Sequence, residues 1–251
     1  MDIIFITPIL FFFIAFVFSM LGMGGSQLYI PILFWLGMDF KTQAIPLGML
    51  LNLVSSSSAA VTYGEKKLID WKVAIPFGLA MILFAPIGTW LNISLPTKPV
   101  ISIFAAFTAT SAVLMLSGWK PKRGEFSSKE RTILGVSGGS VLGFFAGLIG
   151  RGGGGFVVPL LYIAGLGVKT AAATSAFVIT CSSTSGFISH IFTAAQPNWS
   201  IWILCVFSVL IGSQLGSRFM ATKLKSRYVK TIFGTVLLGV AAILILQNLL
   251  L

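Results

Sequence analysis

The sequence predicts an all-α polytopic membrane protein. It should consist of two inverted repeats, each with about four long transmembrane helices and a short glycine-broken or re-entrant helix. Three observations carry this expectation: apolar runs long enough to cross a bilayer, one ungapped internal repeat, and opposite charge bias in the equivalent loops.

The solvent comes first. Of 251 residues, 56% are hydrophobic and 9% charged, and the mean hydropathy is +0.98. A soluble domain carries about 25% charged residues. This chain has too little polar surface to coat a water-soluble globule, so its solvent is lipid. The net charge of +11 does not form a stripe on an amphipathic element, which excludes nucleic-acid binding as its purpose. The basic residues fill short gaps between apolar runs, where they fix topology and face anionic headgroups. Cys181 and Cys205 sit inside apolar runs, with neither metal-ligand spacing nor a disulfide framework.

Long apolar runs fall at about 3–21, 42–62, 73–91, 99–118, 132–149, 170–193, 200–217 and 231–247. Each matches the length that a helix needs to cross ~30 Å of hydrocarbon. Backbone polar groups in lipid must be satisfied within the segment, and the runs do not alternate in polarity, so they read as helices and not barrel strands. The first run follows Asp2 with no basic region before it and no clear cleavage site, and reads as a membrane segment. Two shorter apolar pieces, about 27–37 and 155–166, each follow a glycine cluster and are too short to span alone.

Sliding the chain against itself by 128 positions, the interval from Pro31 to Pro159, exposes the repeat. Gly22, Gly24 and Gly25 fall on Gly150, Gly152 and Gly153, and Gly37 falls on Gly165. Lys41-Thr42 falls on Lys169-Thr170, Ser55 and Ser57 on Ser183 and Ser185, Trp71 on Trp199, and Gly88 on Gly216. The domains are therefore a first repeat at 1–118, a basic cytoplasmic linker at 119–131 and a second repeat at 132–251. The loop near 64–72 carries Lys66, Lys67 and Lys72, whereas its partner near 192–200 carries no Lys or Arg. The loop near 92–99 has only Lys98, whereas its partner near 218–230 has Arg218, Lys223, Lys225, Arg227 and Lys230. Cytoplasmic loops collect Lys and Arg, so the halves should lie upside-down relative to each other. Inversion needs an odd number of crossings per half, which the short pieces supply if each folds back after its glycine turn.

The glycine clusters Gly22-Met23-Gly24-Gly25-Ser26 and Gly150-Arg151-Gly152-Gly153-Gly154-Gly155 lack the strand context of a nucleotide-binding loop. They can serve close helix packing. They can also break a helix, expose backbone N–H groups and start a short helix whose positive end suits an anion. Two matching breaks point to a binding site between the repeats. Gly24, Gly25, Ser26 and Gln27 at the first break, and Arg151, Gly152, Gly153 and Gly154 at the second, are the candidate ligands. Arg151 stands where the first repeat has Met23, and either snorkels to an interface or meets the anion. Polar residues inside the long runs complete the set: Asn52, Ser55 and Ser56, then Thr174, Ser175, Thr180 and Ser183. Each hydroxyl can bond back to its own helix, but paired clusters in matching helices suit the lining of a polar cavity, and their donors suit an oxyanion. His190, the only histidine, is an interfacial or structural residue or a candidate proton relay. No acidic residue lies deep in a run to relay protons in its place.

These motifs resemble those of the sulfite exporter TauE/SafE family. Gly22-x-Gly24-Gly25 with Pro31 and Gly150-x-Gly152-Gly153-Gly154 with Pro159 look like its paired motifs, and Ala173-Thr174-Ser175 and Ile69-Asp70-Trp71 are similar too. The first half departs by reading Ile45-Pro46-Leu47-Gly48 where the second reads Ala173-Thr174-Ser175-Ala176. The resemblance implies a secondary transporter in the bacterial inner membrane that exports sulfite or an organosulfonate such as sulfoacetate. The alternative is an anion channel or uniporter for a related oxyanion or carboxylate. An enzyme is disfavoured, because one histidine, few carboxylates and two isolated cysteines make no nucleophile–base constellation. No cofactor is expected. The expected partners are the anion and the bilayer, with coupling to protons or sodium, and a homodimer, as further options.

Overall fold

The computed structural model describes residues 3–94, 127–149, 154–192, 194–195 and 198–225, with scattered residues of 96–117 and 228–243. The described residues are helical and contain no strand. In chain order they form α1 (Ile3–Met20), α2 (Ser26–Trp35), a π-helical turn (Phe40–Ala44) leading into α3 (Ile45–Glu65), and α4 (Trp71–Ser94). After the middle of the chain come α5 (Ser128–Ile149), α6 (Gly154–Ile163), α7 (Val168–Ile191) and α8 (Trp199–Thr222). The predicted runs at 99–118 and 231–247 lie mostly outside the described residues, as does linker 119–126. Among the described residues, five helices are long and apolar enough to cross a membrane, and Ile6–Met20 is a shorter apolar helix.

Local chemistry sets the element ends. Ser127 and Glu130 make a capping box, with Ser127 N–H donating to Glu130 Oε2 (2.8 Å) and Glu130 N–H donating to Ser127 Oγ (3.3 Å). This starts α5 inside the stretch read as a linker. Asp70 accepts from Lys72 N–H (3.1 Å) at the start of α4. Asp39 accepts from the N–H groups of Lys41 (3.1 Å) and Thr42 (2.8 Å) and from the Thr42 hydroxyl (2.7 Å), which opens the π-helical turn. Both short helices end on a left-handed glycine, Gly37 at φ 87 and Gly165 at φ 93.

Side-chain pairs fix the helix directions. Asn52 meets Ser183 and Ser56 meets Thr180, so α3 and α7 cross antiparallel. Ser58 meets Ser213 and Thr62 meets Ser217, so α8 runs parallel to α3. Gly212 packs on Phe12 and Gly216 on Phe16, so α1 is parallel to α8. Gly135, Gly139, Gly143 and Gly147 recur every fourth residue along α5 and lie on Pro76, Phe77, Met81 and Ala85, so α4 and α5 run parallel. A Cβ on Gly147 would sit 1.9 Å from the Ala85 carbonyl oxygen; the backbones touch there, as small residues permit.

The first short helix turns back. Gly22, Gly24 and Gly25 all have positive φ (66, 78 and 108), and α2 then runs opposite to α1. Tyr29 stacks 4.8 Å from Phe11, Ser26 sits by Asn52, and Ile30 sits by Gly48. The chain thus rises through α1, returns through the glycine turn and α2, and rises again through α3.

The helix directions sort the charges. Lys66, Lys67, Lys72, Lys129, Arg131, Lys169, Arg218, Lys223 and Lys225 gather at one end of the bundle. At the opposite end the described charged residues are Asp39 and Lys41. Between the ends, Ile75, Leu79, Leu83, Ile87 and Trp90 of α4 are exposed at three- to four-residue spacing. So are Ile203, Phe207, Ile211, Leu215 and Phe219 of α8. In water these bands would be costly, and against acyl chains they are solvated.

Candidate functional site

The centre is polar where α3 and α7 cross. Asn52 is fully buried, and its amide is used at both ends. Its Oδ1 accepts from Ser26 N–H (3.0 Å), and its Nδ2 donates to Ser183 Oγ (2.7 Å). One side chain therefore ties the N-terminal end of α2 to the middle of α7. The neighbouring glycine is required by space: a Cβ on Gly24 would fall 2.2 Å from Asn52 Oδ1. Gly25 caps α2 at φ 108 and lies under the Tyr29 phenol. One turn along α3, the Thr180 hydroxyl lies 3.2 Å from Ser56 Oγ and donates back to Ala176 O (2.8 Å). Ser55 is buried beside them.

Gln27 spans the seam between the two short helices. Its Nε2 lies 1.9 Å from where a Cβ on Gly155 would stand, so the first turns of α2 and α6 abut. Gly154 opens α6. Arg151, Gly152 and Gly153 lie outside the described residues.

Three of the residues singled out in the sequence stand apart from this centre. Thr174 accepts from Asp70 N–H (3.0 Å) and so holds the start of α4, where Asp70 also pairs with Arg131 of α5. Ser175 donates to Gly22 O (2.9 Å) and braces the glycine turn from behind. His190 is buried on α7, seven residues beyond Ser183 and so ~10 Å along the axis. Its ring bonds to the backbone of Gly147 on α5, toward the sparsely charged end.

Two features escaped the sequence reading. Between α3 and α8, Gln214 Nε2 donates to Ser58 Oγ (2.8 Å) and Ser58 O (3.1 Å), Ser213 donates to Ser58 Oγ (2.9 Å), and Ser217 donates to Thr62 Oγ1 (3.2 Å). Gln214 inside an apolar run was the available signal. The second is Tyr29, whose phenol tip reaches the α2 cap. An apolar groove of about 390 Å³ lined by Phe84, Ile87, Val141 and Phe144 lies between α4 and α5, on the outside and away from Asn52.

These features define a multi-pass helical membrane protein with a braced helix break and a polar crossing at its centre. The comparisons with known proteins agree. The chain belongs to the sulfite exporter TauE/SafE family, whose model matches residues 8–244. It is 26% identical to the probable membrane transporter protein YunE of Bacillus subtilis, covering 92% of this chain and 93% of that one. A probable membrane transporter protein of Methanocaldococcus jannaschii is 24% identical over 87% of this chain and 86% of its own. A sulfite exporter TauE/SafE family protein of Arabidopsis thaliana is 31% identical over 44% of this chain and 25% of its own. No solved structure matches. The family and these relatives are transporters, not enzymes.

Proposed function

We propose that this protein is a secondary transporter that exports sulfite, or an organosulfonate such as sulfoacetate, across the bacterial inner membrane. It would work by alternating access between two inverted repeats, 1–118 and 132–251. The observation that carries the reading is the Ser26–Asn52–Ser183 link, which brings a half-helix N-terminus to a polar crossing of two helices 128 positions apart in register. An N-terminus there offers backbone donors and a positive dipole end to an anion. The antiparallel crossing of α3 and α7 supports inversion, since helices related by an axis along the membrane normal would run parallel. The gathering of Lys and Arg at one end supports a cytoplasmic assignment for that end.

In this reading the anion lies among Gly24, Gly25, Ser26 and Gln27, Gly152, Gly153 and Gly154, and the crossing residues Asn52, Ser55, Ser56, Thr180 and Ser183. Ser175 shapes the break from behind, and Thr174 holds the start of α4 beside it in sequence. Arg151 supplies the counter-charge, so Arg151→Ala should fold and lose most transport; normal export by that variant would remove it from the site. His190 carries the proton if coupling is to pH, and His190→Gln should then abolish only the pH-driven component.

Flux of sulfite and sulfoacetate into proteoliposomes, under an imposed pH or sodium gradient, tests the whole. Saturable uphill movement is expected, and the gradient that drives it names the coupling ion. Strictly downhill flux would replace the coupled mechanism with a channel or uniporter. Absence of flux for both anions would reject the substrate class.

A further inference from the structure

The polar centre contains two hydroxyls that its hydrogen bonds do not use. Tyr29 lies one turn into α2, and helical side chains lean toward the N-terminus of their helix. Its phenol is thereby carried back over the cap, where a Cβ on Gly25 would stand 2.8 Å from Tyr29 Oη. The ring is held by Phe11 of α1 at 4.8 Å. Ser55, one turn beyond Asn52 on α3, stands beside the phenol, near enough for the two oxygens to interact, though the pair falls short of hydrogen-bond geometry. Tyr29 and Ser55 are both 0% exposed, and neither hydroxyl closes a hydrogen bond with a described residue. Their neighbour Asn52, by contrast, is used at both ends. The second half does not duplicate the arrangement, because Val157 stands 128 positions after Tyr29.

We propose that Tyr29 and Ser55 form a substrate subsite, in which both O–H groups donate to one oxygen of an oxyanion held at the N-terminal end of α2. This rests on the anion-transport reading above, adds Tyr29 to its contacts and gives Ser55 a defined role. A buried hydroxyl needs a partner. Two of them beside a helix N-terminus, in a buried interior that strengthens each bond, favour an acceptor that carries negative charge. A sulfite or sulfonate oxygen has lone pairs for both donors. The pair acts on binding and involves no covalent step.

The test uses the full-length purified protein with sulfite as the probe. Tyr29→Phe removes one oxygen and keeps the ring packing. It should raise the KM for sulfite about tenfold or more, as loss of a hydrogen bond to a charged group does, with little change in maximal rate. Ser55→Ala should act in the same direction, and Ser55→Cys, a weaker donor, replaces it if it does not fold. Stability separates binding from structure. Without sulfite, Tyr29→Phe should melt at or above the wild-type temperature, because it deletes an unused buried hydroxyl, and sulfite should no longer raise the melt. A Tyr29→Phe protein with unchanged KM, whatever its melt, overturns the subsite while wild-type transport stands. Wild-type protein that neither moves sulfite nor is stabilised by it sinks the transport reading and the subsite together.

Discussion

At the scale of single residues, Asn52 links the glycine break to α7 with both a donor and an acceptor of one side chain. Asn52→Ala removes the acceptor of the Ser26 N–H and the donor to Ser183 Oγ, and losing these buried hydrogen bonds should cost about 1–3 kcal/mol. Denaturant unfolding in detergent should show a loss of that size. Asn52 was legible in the sequence because a buried amide in an apolar run demands partners. Tyr29 was not, since a tyrosine in a ten-residue apolar helix reads as core. Only the reversal of α2 and the lean of its side chains bring the phenol to the Gly25 cap. Thr174 and Ser175 show the converse. Their types suit an oxyanion, yet their hydroxyls go to backbone groups of Asp70 and Gly22.

At the scale of elements, caps and helix breaks decide where segments begin; the glycine break is buried at the centre, whereas the Asp39 and Asp70 caps lie at the ends of the bundle. The exposed Asp39 carboxylate takes three donors, chiefly from Thr42, and these bonds hold its carboxyl below the usual carboxylate range. A carboxyl lowered in the folded state contributes stability that is complete above its unfolded value, about 3.9. That contribution is lost as pH falls through the lower folded value. Asp39→Ala should cost about 1 kcal/mol at neutral pH. Asp39→Asn should remove the acid-dependent part of unfolding below about pH 4, as thermal melts across pH would show. The long helices themselves were legible from run length alone. Which face of each meets which neighbour was not, since lipid tails are as apolar as leucine and the runs are apolar on every side. The four glycines at fourfold spacing on α5 are the exception that could have been read, and Gly143→Leu should break the α4–α5 seam by driving a side chain into Met81. Overpacking of that kind costs about 1–3 kcal/mol.

At the scale of the whole molecule, helix direction and charge together predict sidedness. Lys66→Cys, beyond the C-terminal end of α3, and Ala195→Cys, in the loop after α7, stand at opposite ends of the bundle. In inside-out and right-side-out vesicles, a membrane-impermeant maleimide should label each from one side only, and from opposite sides. Labelling of both from the same side would contradict the crossing pattern. The polar cluster of Ser58, Thr62, Gln214 and Ser217 lies toward the basic end, and Gly186, His190, Pro86 and Thr89 hold the positions 128 away. The two ends are therefore chemically unequal.

The parallel pairs have one more consequence, for synthesis. Helix α1 packs on α8 and α4 packs on α5, so each early helix finds its long partner only in the later half of the chain. As the chain leaves the ribosome, the face of α4 that carries Phe77 and Met81 must wait in lipid until α5 is inserted, and α1 waits longer still. Insertion and folding are thus separate events for this protein. Neither half has a complete set of neighbours by itself, and two halves made as separate chains would have to find each other within the bilayer before either could be whole.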